Sequence, residues 1–397
     1  MIPDPGALPA RRPRIDSVDL LRGIIMIIMA LDHTRDYFGD AAISPTNLTQ
    51  ASAALFLTRW ITHFCAPVFF LLTGTGAYLS LQRLSRAQLS RFLLTRGVWL
   101  IVLEMTVMRF LLQFNVDYRV TVLTVLWALG WSMIVLAGLV RFPAAVATTF
   151  GVAMIVTHNL LDAVTPARLG SLSPLVGILH SPSVLSANPA HFVFQAYPVI
   201  PWIGVTALGF GIGQLFDWPA ERRRRTLMRL GVGMTVAFVA LRAVNVYGDP
   251  LRWSVQPSAA FTVLSFLNVT KYPPSLLFLL VTLGPAFVLL ALFDGRTPRV
   301  LRPALTLGRV PMFYFLLHFT VIHLLAVVAC LVRYGSVHWM FESPSIDRYP
   351  ITQPPGWPFS LPAVYAVWAA VVLIAYPACR WYAALRARRT DWWLGYL

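Results

Sequence analysis

Charge is what this chain has least of. Only 12% of its 397 residues are Asp, Glu, Lys or Arg, against roughly 25% in soluble domains. A single soluble globule of this composition would expose large apolar patches, which excludes an ordinary soluble enzyme. A disordered chain needs the opposite balance, low hydrophobicity with high net charge. Cysteine is nearly absent. Cys65, Cys330 and Cys379 stand apart with no CxxC spacing, which excludes a disulfide scaffold and a thiolate metal site. No P-loop, GxSxG or HExxH pattern occurs, so those motif-based chemistries have no support. Lysine is reduced to Lys271, every other base being arginine, and 16 acids face 32 bases for a net charge of +16. An excess of this size points to nucleic acid when it gathers in one polar domain. Here the arginines sit in short clusters between apolar runs, so no nucleic-acid partner is expected.

Hydrophobic residues, at 57%, are what the chain has in plenty. A membrane-crossing helix needs about 20 mostly apolar residues. Ten such stretches are legible, at 18–39, 53–82, 97–114, 120–140, 143–163, 197–216, 230–247, 273–293, 310–332 and 359–379. A re-entrant piece within 164–196 would make eleven. The pattern predicts an all-α fold, a polytopic transmembrane helix bundle of about ten spans. Residues 1–17 and 380–397 form polar tails around a single domain at 18–379. Arg11, Arg12, Arg14, the bases of 83–96, Arg141, those of 222–229 and of 296–309, and those of 380–389 fall on one side. These are 21 bases, against seven on the other side. Cytoplasmic loops carry the excess of bases, so both termini are expected in the cytoplasm. No cleavable leader is legible, and the expected location is a bacterial inner membrane. The long connections 164–196, 248–272 and 333–358 then face outward, where they are expected to cap the mouth of the bundle.

Ionisable groups inside spans are costly and therefore candidates for function. In the first span, Asp19 and Arg22 share a helical face, as an ion pair or as a simple anchor of the helix end. At its other end lie Asp32, His33, Arg35 and Asp36, with His33 ~8 Å inside the boundary. Asp32 and Asp36 share a face, with Arg35 near enough to neutralise one of them. In the second span Arg59 and His63 are one turn apart, and Pro67 is expected to kink the helix beneath them. His63 lies ~15 Å from the start of that span, a depth like that of His33, which permits one polar pocket. His318 and His323 are five residues apart and so about 140° apart on their helix. They cannot jointly ligate a metal, and the spacing does not choose which of them faces the pocket. Glu104 and Arg109 are read as finding partners elsewhere in the bundle. Gly74, Gly76, Gly209, Gly211 and Gly213 read as close helix packing.

The ordered segments SVDLLRGIIMIIMALDH (17–33), HFCAPVFFLLTG (63–74), YPVIPWIGVTALGFGIG (197–213), YPPSLLFLLVTLGP (272–285) and LGRVPMFYFLLHFTVIH (307–323) carry a resemblance. Together they resemble bacterial members of the heparan-alpha-glucosaminide N-acetyltransferase catalytic-domain family. The opening motif includes Asp19, Arg22 and Gly23, and the second segment includes Pro67. The resemblance implies transfer of acetyl from cytosolic acetyl-CoA across the membrane to an amine of glucosamine. The chain departs from the characterised eukaryotic branch. It has no histidine in 34–62, and His63 stands where that branch has an acid. His33, eleven residues after Arg22, resembles the first-span histidine of the wider acyltransferase-3 group. The transferase fold therefore carries over better than the glucosamine specificity.

The expected function is a membrane acyltransferase that uses acetyl-CoA as co-substrate, with no permanent cofactor and no metal. It would modify a sugar or envelope glycan at the outer face. His33 would be general base or transient acyl carrier, oriented by Asp32 or Asp36. His63 and Arg59 would stabilise developing charge, and Asp36, Arg35 and His318 would contact substrate. Cytoplasmic arginines would hold the donor's phosphates. Besides the lipid bilayer, acetyl-CoA and the glycan acceptor, a second copy of the chain is left open as a partner. The rival readings are a transporter or flippase with proton-handling histidines and a non-catalytic membrane partner.

Overall fold

The computed structural model describes residues 15–164, 170, 173–389, 391 and 394. The arginines at 11, 12 and 14 lie outside them. The first helix, α1 (Asp16–Phe38), is followed by α2 (Ala53–Thr62) and α3 (Cys65–Ser80). Next come α4 (Arg86–Leu103), a π-helical turn (Glu104–Met108) and α5 (Arg109–Gln113). Strand β1 (Val120–Leu123) leads into α6 (Val125–Leu139), α7 (Ala144–Thr157) and α8 (Ser173–His180). A hairpin of β2 (Ser183–Asn188) and β3 (His191–Gln195) precedes α9 (Ile200–Gly213), α10 (Ala220–Val244) and α11 (Ala259–Leu267). The chain closes with α12 (Leu276–Phe293), α13 (Arg302–Gly308), α14 (Pro311–Tyr334) and α15 (Leu361–Arg388).

Helices occupy all ten apolar stretches. Six segments are long and apolar enough to cross a membrane: Ala53–Ser80, Ala144–Ala163, Ala220–Val244, Leu276–Phe293, Pro311–Tyr334 and Leu361–Arg388. Of the others, α1 and α4 carry charges, whereas α6 and α9 are short. The α9 helix has 14 residues, nearly all buried, and sits at the centre against α3, α6 and α7.

Three expectations need correction. The fold is mostly helical, as expected, but holds one small sheet, in which β1 pairs in parallel with β3, and β2 pairs antiparallel with β3. The stretch 120–140 therefore starts as a strand. Val120, Thr121 and Val122 are β-branched residues suited to a sheet, and a short apolar run cannot separate strand from helix by hydropathy alone. The third and seventh stretches begin earlier than expected. Ser85 caps α4 through a capping box with Gln88, so Arg86, Arg91 and Arg96 lie on a helix, and α10 likewise carries Arg222–Arg225 on its first turns. Long arginine stems cover apolar surface while their heads reach water, so a helix continues where an apolar count stops. For the same reason α15 runs to Arg388, past the expected boundary at 379.

Glycines set the seams. Gly97 faces Gly130, Gly151 faces Gly204, Gly231 faces Gly284 and Gly23 faces Gly308, each across a helix pair where an added Cβ would strike the partner's backbone. Where lipid supplies no hydrophobic drive between helices, such close approach earns van der Waals contact instead. Gly74, Gly209, Gly211 and Gly213 pack as expected, but Gly76 faces open space. All three cysteines are free and buried. Arg309 pairs with Asp16 (3.2 Å) and accepts from Arg386 through its carbonyl (3.2 Å), so α1 begins and α15 ends at one end of the bundle.

A polar cavity at the far end of the first helix

A cavity of about 280 Å³ opens at the opposite end, lined along α1 by Asp32, His33, Arg35, Asp36 and Tyr37. Arg59 enters from α2, and Cys65 and Phe69 from α3. The three long connections supply Ala196, then Lys271 and Tyr272, then Tyr349 and Pro350, with Tyr197 just beyond the first. These connections thus form part of its wall, and Phe315 and Phe319 of α14 make an apolar side.

The charges form a chain. Asp32 accepts from Arg59 and lies 2.9 Å from Arg35, which also donates to Asp36 at 2.6 Å. Asp36 Oδ2 stands 3.5 Å from His33 Nδ1, one helical turn away. The carboxylate beside His33 is therefore Asp36, and Asp32 serves the two arginines. Adjacent residues diverge by 100° on a helix, which keeps Asp32 off its neighbour. Buried charges persist only when paired and hydrogen-bonded; the Asp32 carboxylate is paired with both arginines and hydrogen-bonded by Arg59.

His63 departs from expectation. It is buried, with its ring 5.3 Å from Phe278, and is not among the residues lining the cavity. Pro67 has no N–H to offer the His63 carbonyl, and the helix breaks at His63–Phe64, which carries the ring to the α12 side. Arg59, one turn earlier, is the residue of this helix that reaches the cavity with Asp32.

His318 lies just behind the wall, with its ring 5.4 Å from that of His33 and its Nδ1 donating to the Tyr314 carbonyl at 3.0 Å. His323 is tied at both ring nitrogens to the carbonyls of Leu111 (3.1 Å) and Met340 (2.8 Å) and stacks on Phe114. Of these two histidines, 318 neighbours the site and 323 packs.

Asp19 and Arg22 form the expected pair at 2.8 Å, and Arg22 also reaches the Gly308 carbonyl. With Gly23 packed on Ala304 and Gly308, this motif joins α1 to α13 at the terminal end. Glu104 and Arg109 do find separate partners. Glu104 accepts from the Thr124 and Leu126 amides at the start of α6, and Arg109 binds Asn115, Asp117 and Ser343.

Lys271, Tyr272, Tyr197 and Tyr349 escaped the sequence reading. They sit in connections or at helix starts, where no span periodicity points to them. Lys271 is 8% exposed, and among the described residues its ammonium has no carboxylate within ion-pair distance. It stands 5.3 Å from the centre of the Tyr272 ring. Burial pushes the Tyr349 phenol up from its ordinary range, so it keeps its proton. Among the described residues, no three His, Cys, Asp or Glu side chains converge as a metal site.

A bundle of apolar helices around a charged chamber defines a multi-pass membrane protein. Residues 14–247 match the family described as heparan-alpha-glucosaminide N-acetyltransferase, catalytic. That is more than half of the chain, which therefore belongs to this family. The match holds His33, Asp36 and Arg59 and ends just after α10, so Lys271, His318 and Tyr349 lie beyond it. No curated protein sequence matches the chain.

Proposed function

We propose that the protein is a membrane acetyltransferase that takes acetyl from acetyl-CoA at the arginine-rich end and delivers it to a sugar or glycan acceptor in the cavity. In this reading the bundle crosses a bacterial inner membrane about ten times, with both termini cytoplasmic. The carrying observation is His33, set in the cavity wall with Asp36 at 3.5 Å behind its Nδ1. Its Nε2 has no protein partner among the described residues and is the nitrogen left for chemistry.

The acceptor's amine or hydroxyl gives its proton to His33 Nε2 as its nitrogen or oxygen attacks the thioester carbonyl carbon. Asp36 favours the resulting imidazolium. The carbonyl oxygen becomes an oxyanion, for which the wall offers the protonated Tyr349 as a donor. Collapse breaks the C–S bond, and the imidazolium returns its proton to the departing thiolate. His63 has no step here, because it does not line the cavity.

The test is incubation of purified protein with radiolabelled acetyl-CoA. Time-dependent release of free CoA, lost in the His33 variant, supports the reading. Absence of acetyl-CoA binding by folded protein overturns it.

A further inference from the structure

A second cavity of about 570 Å³ lies lower along α1 and differs from the first in kind. Its wall is apolar, including Leu21, Ile25 and Ile28 of α1, Trp60 of α2, and Val236 of α10. On α1 the positions 21, 25, 28, 32 and 35 follow i+3 and i+4 spacing and so share one face. The first three line the apolar groove, and the last two, Asp32 and Arg35, line the charged cavity. On α2 the change falls between Arg59 and Trp60. The two spaces thus follow one another along α1 without sharing a lining residue, the groove reaching ~16 Å below Asp32 at 1.5 Å per residue. The groove opens on the lipid-facing side, where Val236 is 61% exposed.

The charged end is not neutral. Asp32 and Asp36 answer Arg35 and Arg59, so with Lys271 the cluster carries one positive charge in excess. A buried cation of this kind calls for an anion.

Resting on the acceptor role given to this cavity above, we infer that the acceptor is an anionic amphiphile, a lipid-linked sugar phosphate. Its phosphate meets Lys271 and its hydrocarbon chain lies in the groove against Trp60 and Val236. A membrane-borne acceptor would arrive sideways from the bilayer, already at the depth of His33.

The test uses the full chain in neutral maltoside micelles with dodecyl phosphate as the probe, read by thermal shift and by equilibrium binding. Dodecyl phosphate should raise Tm and bind, whereas inorganic phosphate and dodecyltrimethylammonium should not. Lys271→Gln should weaken dodecyl phosphate by about tenfold or more, the factor worth 1.4 kcal/mol, and Lys271→Arg should retain it. Val236→Trp, a change at a lipid-exposed position, should block the chain and also weaken binding. Equal binding of inorganic phosphate, or equal binding by the Lys271→Gln protein, would overturn the inference. So would tighter binding of phosphatidylglycerol than of dodecyl phosphate, which would mark an ordinary lipid site. Acetyl-CoA binding is titrated separately. Its loss alone would sink the transferase reading and leave this site standing.

Discussion

At the scale of single residues, the proposed chemistry turns on the difference between Asp32 and Asp36. Both were legible in the sequence as acids near His33, but their roles were not. Spacing alone could not show that Arg59 would cross from α2 to take Asp32, leaving Asp36 to His33. Lys271 was not legible as a site residue, because its meaning depends on a connection folding back over the cavity. A general base contributes about 10²–10⁴-fold, so His33→Ala should lower acetyl-CoA turnover by that factor with donor binding intact. Asp36→Asn should lower it less, since it removes orientation and charge support but leaves the base. His63→Gln should leave turnover near that of the unaltered protein. Steady-state turnover of the three purified variants checks this ordering. A His63→Gln effect as large as that of His33→Ala would return His63 to the site.

At the scale of elements, the apolar runs located the helices but misjudged their ends and missed the sheet. A hydropathy count marks where a segment is apolar, whereas α4 and α10 continue through arginine-bearing turns held by backbone bonds. Strand β1 depends on β3, some seventy positions later in the chain, a pairing that no local pattern reveals. The glycine seams were only partly legible. A glycine that packs and one that does not look alike in sequence, and only the facing helix separates Gly231 from Gly76. Gly231→Leu should force α10 from α12, because its Cβ position already meets the Gly284 carbonyl. Overpacking typically costs about 1–3 kcal/mol, and here the obstacle is backbone, so Tm in detergent should fall clearly. Gly76→Ala meets nothing within 4 Å and gains helix propensity of up to about 1 kcal/mol, so its Tm should hold or rise. Thermal unfolding of the two variants side by side is the measurement, and equal losses would refute the seam assignment.

At the scale of the whole molecule, the cavity and the arginine clusters lie at opposite ends of α1, with Asp19 and Asp32 separated by ~20 Å of helix. In the proposed topology the arginine end is cytoplasmic, as the positive-inside rule favours. Reporter fusions at residues 84 and 218 should therefore report cytoplasm, and fusions at 45 and 345 the other side. The reverse result would put donor and acceptor on the wrong faces for the proposed reaction. In the proposed reaction the same end would recognise the donor, and its arginines are not equivalent. Arg223 is held bidentately by Asp294, Arg225 by Glu221 and Arg309 by Asp16. These are already neutralised and serve structure. Arg296 and Arg299, between α12 and α13, and Arg302, the first residue of α13, have no ion pair among the described residues and sit near the α1–α13 seam that Gly23 and Gly308 close. They are among the bases there, with Arg83, Arg91 and Arg229, that remain to meet the phosphates of the proposed coenzyme A donor by charge-assisted bonds. Replacing all three with Gln should weaken acetyl-CoA binding and flatten its dependence on ionic strength, since fewer screened charges then contribute. Arg222–Arg225 remain to hold the orientation, so the fusion reporters should not change side. Isothermal titration at two salt concentrations reads the outcome. Unchanged affinity and salt dependence in the triple variant would mean that these arginines set orientation alone, and donor recognition would have to be sought on α4 and its preceding loop.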